Sequence, residues 1–260
     1  MPADAPLRLP DVPDLSGARA TVLFSGGQDS TTCLFWTLAP RALGGAGFGR
    51  VNALAFDYGQ RHAVEIQQAR RIADLAGVDL TVLSLDGLLG GSALLEDEAA
   101  DTSAAHALAP DLPASFVPAR NALFLTVAAG QAWRRRGDGA VHLVGGMCET
   151  DFSGYPDCRL GFVESQARTL SLGLDADVRI WTPLMHLTKA ETWKLAADLG
   201  TVDTPGGPVD VLETVREHSH TDYHGDRTER HAWGYGRLDN PASVLRARGW
   251  DEAAANGWVE

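Results

Sequence analysis

The sequence predicts an α/β protein, a parallel sheet with helices on both faces, followed by a smaller helical and loop-rich C-terminal tail. Three observations predict it. Short apolar runs alternate with helix-compatible runs from Ala20 to Leu199, the pattern of parallel strands joined by crossover helices. The glycine-rich and turn-prone segments at Ser25, Asp57 and 146–158 all follow strand ends, where open α/β sheets hold their ligands. The chain has 260 residues and 45% hydrophobic content, enough for a full core without disulfides.

The elements follow in order. Residues 1–18, rich in Pro and Asp, read as a mobile leader. Residues 19–211 read as the α/β domain and 212–260 as the tail. Ala20–Phe24 is the first strand, with a helix from about Ser30. Val51–Phe56 is the second, followed by a helix over about 63–77. That helix places Val64, Ile66, Ile72 and Leu75 partly on one face and stops at Gly77, a left-handed cap position. Leu80–Leu85 is the third strand. Residues 90–115 are acidic and turn-prone, a surface excursion. Asn121–Arg136 reads as a buried helix with a basic end. Val141–Val144 is the fourth strand. The loop 146–158 leads to a helix over about 160–172. Val178–Trp181 is the fifth strand, and Lys189–Leu199 a helix.

Composition excludes several classes. A net charge of -12 argues against non-specific nucleic-acid binding, which needs a basic surface. The three cysteines, Cys33, Cys148 and Cys158, are too few for a disulfide framework and point to a reducing cytoplasm. The first residues lack a basic start and an apolar core, so no signal peptide is expected. No apolar run approaches the about 20 residues of a membrane span. A small-molecule or protein partner is favoured.

The chemistry begins at Phe24-Ser25-Gly26-Gly27-Gln28-Asp29-Ser30-Thr31-Thr32. Strand, then Ser-Gly-Gly-x-Asp-Ser, then helix is the layout of a pyrophosphate-holding loop. The glycines allow a sharp turn and bring bare N–H groups near an anion. Ser30, Thr31 and the helix N-terminus add donors. The Gly-Lys-Ser/Thr ending of the Walker loop is missing. Gripping the β and γ phosphates together suits attack at the α-phosphate with pyrophosphate leaving.

Three further strings make the pattern specific: Phe56-Asp57-Tyr58-Gly59-Gln60-Arg61-His62, Phe116-Val117-Pro118-Ala119-Arg120-Asn121, and Cys148 to Arg159. With Thr182-Pro183-Leu184 and Lys189-Ala190-Glu191-Thr192-Trp193, the sequence resembles the 7-cyano-7-deazaguanine synthase family from about Ala20 to Trp250. The resemblance implies a Rossmann-like domain of the adenylating ATP pyrophosphatase group and a homodimer. It implies adenylation of 7-carboxy-7-deazaguanine, capture by ammonia as an amide, and a second activation giving the nitrile.

The residue types fit that chemistry. Adenylation sets a carboxylate against an anionic phosphate, so cations are needed. Mg²⁺ is the expected one, with Asp29 as its ligand. Lys189 suits the α-phosphate or pyrophosphate, or is an exposed helix-start lysine. Arg120 and Arg159 suit the substrate carboxylate or phosphates, and Arg159 alternatively caps the loop before it. Asp151 or Asp157 suits a guanine-like N1–H and 2-amino group, with Ser153 beside them and Tyr155 or Phe152 stacking on the ring. Alternatively Asp157 caps the helix that follows it, and Asp151 and Ser153 close the turn. Cys148 and Cys158 raise a different class, thiolation of nucleic acid by a cysteine pair; packing thiols are the reading preferred here.

The tail departs from the family. Its four zinc-binding cysteine positions align to Asp222, Arg237, Asn240 and Ser243. Arginine does not ligate zinc, and Asn and Ser do so poorly. Zinc is expected to be absent, with Arg237 paired to Asp222 or Asp239. His218, His220, His224 and His231 are read as solvated or hydrogen-bonded rather than as a new metal site. The altered tail leaves two other functions open: joining the activated deazaguanine to a protein N-terminus or other amine, as in antiphage defence or secondary metabolism, and a nucleotide-binding pseudoenzyme scaffold.

Overall fold

A computed structural model of the chain describes residues 6–58, 64–85, 105–106, 109–137, 139–150, 154–221 and 226–260. Five strands form one parallel sheet: β1 (Arg19–Leu23), β2 (Arg50–Asp57), β3 (Asp79–Ser84), β6 (Val141–Val144) and β7 (Val178–Trp181). Between β3 and β6 in sequence lies a small antiparallel hairpin, β4 (Ala105–His106) with β5 (Ala109–Pro113). The sheet order is β3-β2-β1-β6-β7. The chain leaves β1 in one direction and returns to its other side at β6. The carboxyl ends of β1 and β6 therefore flank a topological switch point, where a crevice opens in such sheets.

Each sheet strand is one of the five apolar runs in the sequence. Parallel strands buried on both faces become continuous apolar stretches, and all four residues of β6 are buried. Alternate side chains divide between two cores. On β2, Ala53 enters one core, while Leu54 and Phe56 enter the other. The first core is covered by α1 (Gln28–Leu38), α2 (Val64–Ala76) and the C-terminal helices. The second is covered by α3 (Arg120–Trp133) and α4 (Leu160–Leu174). Helices thus lie on both faces, as predicted.

Helix α2 differs from its sequence reading in one respect. Its buried residues are Ala69, Ile72, Ala73 and Ala76, while Leu75 is exposed. Small residues face inward because the loop after β1 comes close: a Cβ on Gly26 would stand 2.8 Å from the Ala69 nitrogen. The helix stops at Gly77, at φ 61°, where the Val78 amide donates to the Ala73 carbonyl at 2.9 Å. This is the left-handed C-terminal cap.

The rest of the chain packs on the first core. Val12 and Leu15, within the segment read as a leader, are buried there. After α5 (Lys189–Leu199) come the hairpin β8 (Thr201–Thr204) and β9 (Gly207–Asp210), then α6 (Val211–His218). The short pair β10 (Arg230–His231) and β11 (Gly234–Tyr235) precedes α7 (Pro241–Ala255). Helix α7 packs on α5 through the Trp193–Trp250 edge contact, with ring centroids 5.0 Å apart. Arg246 of α7 is fully buried and donates to the carbonyls of Trp233 and Val215 and the hydroxyls of Ser219 and Thr221. No described helix is long and apolar enough to cross a membrane.

Candidate active site

The loop after β1 is tied to itself. Ser30 Oγ donates to the Gly27 carbonyl at 3.2 Å, and the Ser25 amide donates to Ser30 Oγ at 3.2 Å. The Gly27 amide donates to Ser25 Oγ at 3.3 Å. Gly26 takes φ 78°, which a side chain would strain. Its carbonyl accepts from the His220 amide at 2.9 Å, so the C-terminal region pins the loop. Gly27 is the N-cap of α1 and supplies no side-chain acceptor. The first N–H groups of α1 therefore have no side-chain cap from Gly27, at the positive end of the helix dipole. Thr32 Oγ1 donates to the Gln28 carbonyl at 3.0 Å, and Phe24 is buried in the core. The Gln28 carboxamide and Thr31 hydroxyl are buried without a hydrogen-bond partner among the described residues.

Asp29, in the first turn of α1, meets Lys189, the first residue of α5. Lys189 Nζ donates to both Asp29 oxygens, at 2.9 and 3.0 Å. Lys189 is held from two sides. A capping box, Thr188 with Glu191, fixes the start of α5. Gly249 of α7 lies against the lysine stem, and a Cβ there would stand 2.6 Å from Lys189 Cγ. Gly146, just beyond β6, approaches Asp29 similarly: a Cβ on it would be 3.1 Å from Asp29 Cβ.

A second group surrounds Arg120, the first residue of α3. Ala119 before it takes φ 62°, an uncommon conformation for alanine. The Arg120 guanidinium stands 5.9 Å from the Tyr155 ring centroid. Burial opposes its charge, but Tyr58, Tyr155 and Asp157 hold it protonated above the ordinary range. Tyr155 exchanges a hydrogen bond with Ser115 Oγ at 2.7 Å and lies beside Phe116. Burial raises the Tyr58 hydroxyl. Burial also pushes the Glu65 carboxyl up to about 7, with Arg120 opposing.

Asp157 does not cap the helix that follows it. Its Oδ2 accepts from the Asn121 amide at 3.1 Å, at the start of α3. The α4 amide at Leu160 is taken by Glu149 Oε1, at 2.6 Å. A carboxylate 36 residues along the chain thus satisfies an orphan helix donor. Asp157 Oδ1 is buried without a partner among the described residues, with the residue 7% exposed. Arg159 is exposed at the N-cap of α4. Asp151, Phe152 and Ser153 lie outside the described residues, as do Gln60, Arg61 and His62.

Cys148 is buried, with Sγ 2.9 Å from Thr150 Oγ1 and donating to the Leu187 carbonyl at 3.3 Å. Cys158 accepts from Asn121 Nδ2 at 3.4 Å, and burial raises its thiol to about 12. A thiol so raised is a poor nucleophile, which favours the packing reading.

The positions aligned to zinc ligands do other work. Arg237 pairs with Asp239 at 3.0 Å and stands 3.8 Å from Asp226. Asn240 caps α7 by accepting from the Ser243 amide at 3.0 Å. Ser243 is fully buried, and Asp222 and His224 lie outside the described residues. These groups do not fit a thiolate zinc site. His218 Nδ1 accepts from Arg71, and His231 stacks on Trp233. Among the described residues, no cluster of three or more His, Cys, Asp or Glu side chains is placed to hold a metal.

Sequence reasoning grouped the loop, Asp29, Lys189 and Arg120, and the structure sets them at the carboxyl side of the sheet. It missed Glu65, Glu149, Gly146 and Gly249 as contributors. Glu65 had a signal, its place directly after the Phe56–His62 string. The glycines had none, because only the fold shows what passes over them.

A parallel sheet with an uncapped glycine loop at its switch point, and a lysine–aspartate pair beside that loop, defines a nucleotide-binding α/β protein. Residues 19–254 match the family described as queuosine biosynthesis protein QueC. The 7-cyano-7-deazaguanine synthase of Wolinella succinogenes is 46% identical, covering 93% of this chain and 96% of that one. That of Alkalilimnicola ehrlichii is 47% identical, covering 89% and 93%. That of Rhodopseudomonas palustris is 48% identical, covering 90% and 93%. The chain belongs to the QueC family.

Proposed function

We propose that this chain is an ATP-dependent carbon–nitrogen ligase that converts 7-carboxy-7-deazaguanine to its nitrile. The carboxylate oxygen attacks the α-phosphorus of ATP and pyrophosphate leaves. Ammonia then attacks the acyl carbon, displacing AMP and losing a proton to give the amide. A second ATP adenylates the amide oxygen, and elimination of AMP with loss of the remaining N–H protons leaves the nitrile. The family and the names of its relatives support this reading. The observation that carries it is the bidentate Lys189–Asp29 pair beside the uncapped start of α1.

Each residue then has a task. The loop from Phe24 to Thr32 holds the pyrophosphate portion of ATP through the first N–H groups of α1, which the N-cap residue Gly27 leaves without a side-chain cap. Asp29 would be the residue to hold Mg²⁺, which would supply positive charge to offset that of the phosphates. Lys189 follows the charge that develops on the α-phosphate and the leaving pyrophosphate. Arg120 takes the substrate carboxylate with a guanidinium fork. Tyr155 stacks on the deazapurine, and Asp157 Oδ1 accepts from its N–H edge, joined by Asp151, Ser153 and Arg159.

Pyrophosphate exchange into ATP that requires 7-carboxy-7-deazaguanine supports the proposal; no exchange would refute it and leave the scaffold reading. Product mass with ammonia alone decides the rest. The nitrile mass supports synthesis. An adenylate that turns over only with a protein amine supports conjugation.

A further inference from the structure

The opposite end of the sheet carries a feature that the proposed chemistry does not use. A cleft of about 450 Å³ opens at the amino ends of β1, β2 and β6. Four arginines line it, Arg19, Arg50, Arg135 and Arg136, together with His142. The chain as a whole carries a net charge of -12, so this concentration of cations runs against its average. None of the four arginines makes an ion pair with a described residue. None of the described residues lining the cleft is acidic, although Asp79 and Asp203 line the adjoining pocket beside Arg19 and Arg50, so the field around Arg135 and Arg136 favours an anion.

Part of the site is pre-oriented. Arg19 Nη1 donates to Asn52 Oδ1 at 2.9 Å. Arg136 donates to the Trp133 carbonyl at 3.0 Å and stacks over the Trp133 ring at 4.3 Å. The Trp133 indole is itself anchored to the Leu174 carbonyl at 3.1 Å. His142 is buried, and its Nδ1 accepts from Trp181 Nε1 at 3.1 Å. That bond places the ring proton on Nε2, as a donor. Arg50 and Arg135 are exposed and complete the set. Asp138, next to lining residue Gly137, lies outside the described residues.

We infer that this cleft binds a small oligophosphate anion, at a site separate from the catalytic crevice and at the amino ends of the central strands. Four guanidinium forks match several phosphate oxygens at once, beyond what a single carboxylate offers. The cleft volume suits a diphosphate or triphosphate. A long nucleic acid would instead meet the repulsion of the remaining acidic surface.

The test is titration of the full chain with inorganic tripolyphosphate, read by NMR of ¹³C-labelled histidine. The His142 signal is assigned with His142→Gln. Tripolyphosphate is expected to move it saturably. The midpoint should rise about tenfold or more in the exposed double variant Arg50→Ala/Arg135→Ala, through loss of two charge-assisted contacts. Melting temperature and pyrophosphate exchange of that variant without tripolyphosphate should match wild type. A His142 signal that does not move, or a midpoint unchanged in the double variant, would overturn the inference. So would tighter binding of a single-stranded RNA at equal phosphate concentration. Occupancy of the catalytic crevice alone would leave His142 unmoved, so the readout is independent of the function proposed above.

Discussion

Lys189 Nζ lies 2.9 and 3.0 Å from the two oxygens of Asp29, although 160 residues separate them in the chain. The lysine is 11% exposed and the aspartate 30%. Each holds the other in position beside the amino end of α1. Lys189→Ala and Asp29→Asn are each expected to lower pyrophosphate exchange by about 10²–10³-fold. Because each positions the other for its own task, the loss in the double variant should be smaller than the product of the two single losses. Exchange rates for the four proteins form the cycle. Losses that multiply would show that neither residue positions the other.

Gly249 is expected to be intolerant of a side chain. A Cβ there would stand 2.6 Å from Lys189 Cγ and 2.8 Å from Lys189 Cβ, inside any normal contact distance. Gly249→Ala must shift α7 or the lysine. Overpacking of this kind costs about 1–3 kcal/mol. Exchange should fall further than the melting temperature explains, since the displaced group is Lys189. Calorimetry and exchange assays at a temperature where the variant is fully folded separate the two effects.

Asp157 combines a structural bond with an unused acceptor. Asp157→Ala frees the Asn121 amide at the start of α3, a loss of about 1–2 kcal/mol. Asp157→Asn keeps the volume and one acceptor and should recover most of that stability. Under the proposed function, both variants should raise KM for 7-carboxy-7-deazaguanine by about tenfold or more, with KM for ATP unchanged. An unchanged KM in both would leave Asp157 as a helix cap only.

Glu65 predicts a pH dependence. Its carboxyl is raised from 4.5 to about 7 by burial. The folded state therefore holds its proton more tightly than the unfolded state. Its contribution to stability is full below about pH 4.5 and is lost as pH rises through about 7. Glu65→Gln removes that loss. Its stability relative to wild type should improve by on the order of 2 kcal/mol between pH 5 and pH 8, allowing for partial exposure. Urea unfolding at the two pH values measures this, and a difference that is flat with pH would contradict it.

The sheet was legible because its strands are apolar on both faces, as Ala20–Phe24 and Val141–Val144 are. The loop was legible because Ser25-Gly26-Gly27 must turn where a strand meets a helix. Helix α7 was not. It places Gly249 mid-helix and buries Arg246, so its local pattern lacks an amphipathic stripe. Contacts with distant residues account for them: Trp233, Val215, Ser219 and Thr221 around Arg246, and Lys189 against Gly249. The bond from the Asn121 amide to Asp157 was hidden likewise, because that partner on α3 lies 36 residues earlier in the chain.

The tail offers the last test. Asn240 begins α7 by accepting the Ser243 amide at 3.0 Å, with Pro241 at the first helical position. Arg237 is tied to Asp239 nearby, an exposed pair contributing about 1 kcal/mol at most. These contacts stand where the family's resemblance places zinc ligands, so the start of α7 should be held by hydrogen bonds. Asn240→Ala is expected to cost about 1 kcal/mol, lowering the melting temperature by roughly 2–4 °C. Because α7 carries Gly249 against Lys189, pyrophosphate exchange should weaken as that variant is warmed, before global unfolding. A strong zinc chelator should leave the wild-type melting temperature unchanged. A drop under chelation as large as that of Asn240→Ala, together with stoichiometric zinc by elemental analysis, would show that a metal holds this region after all.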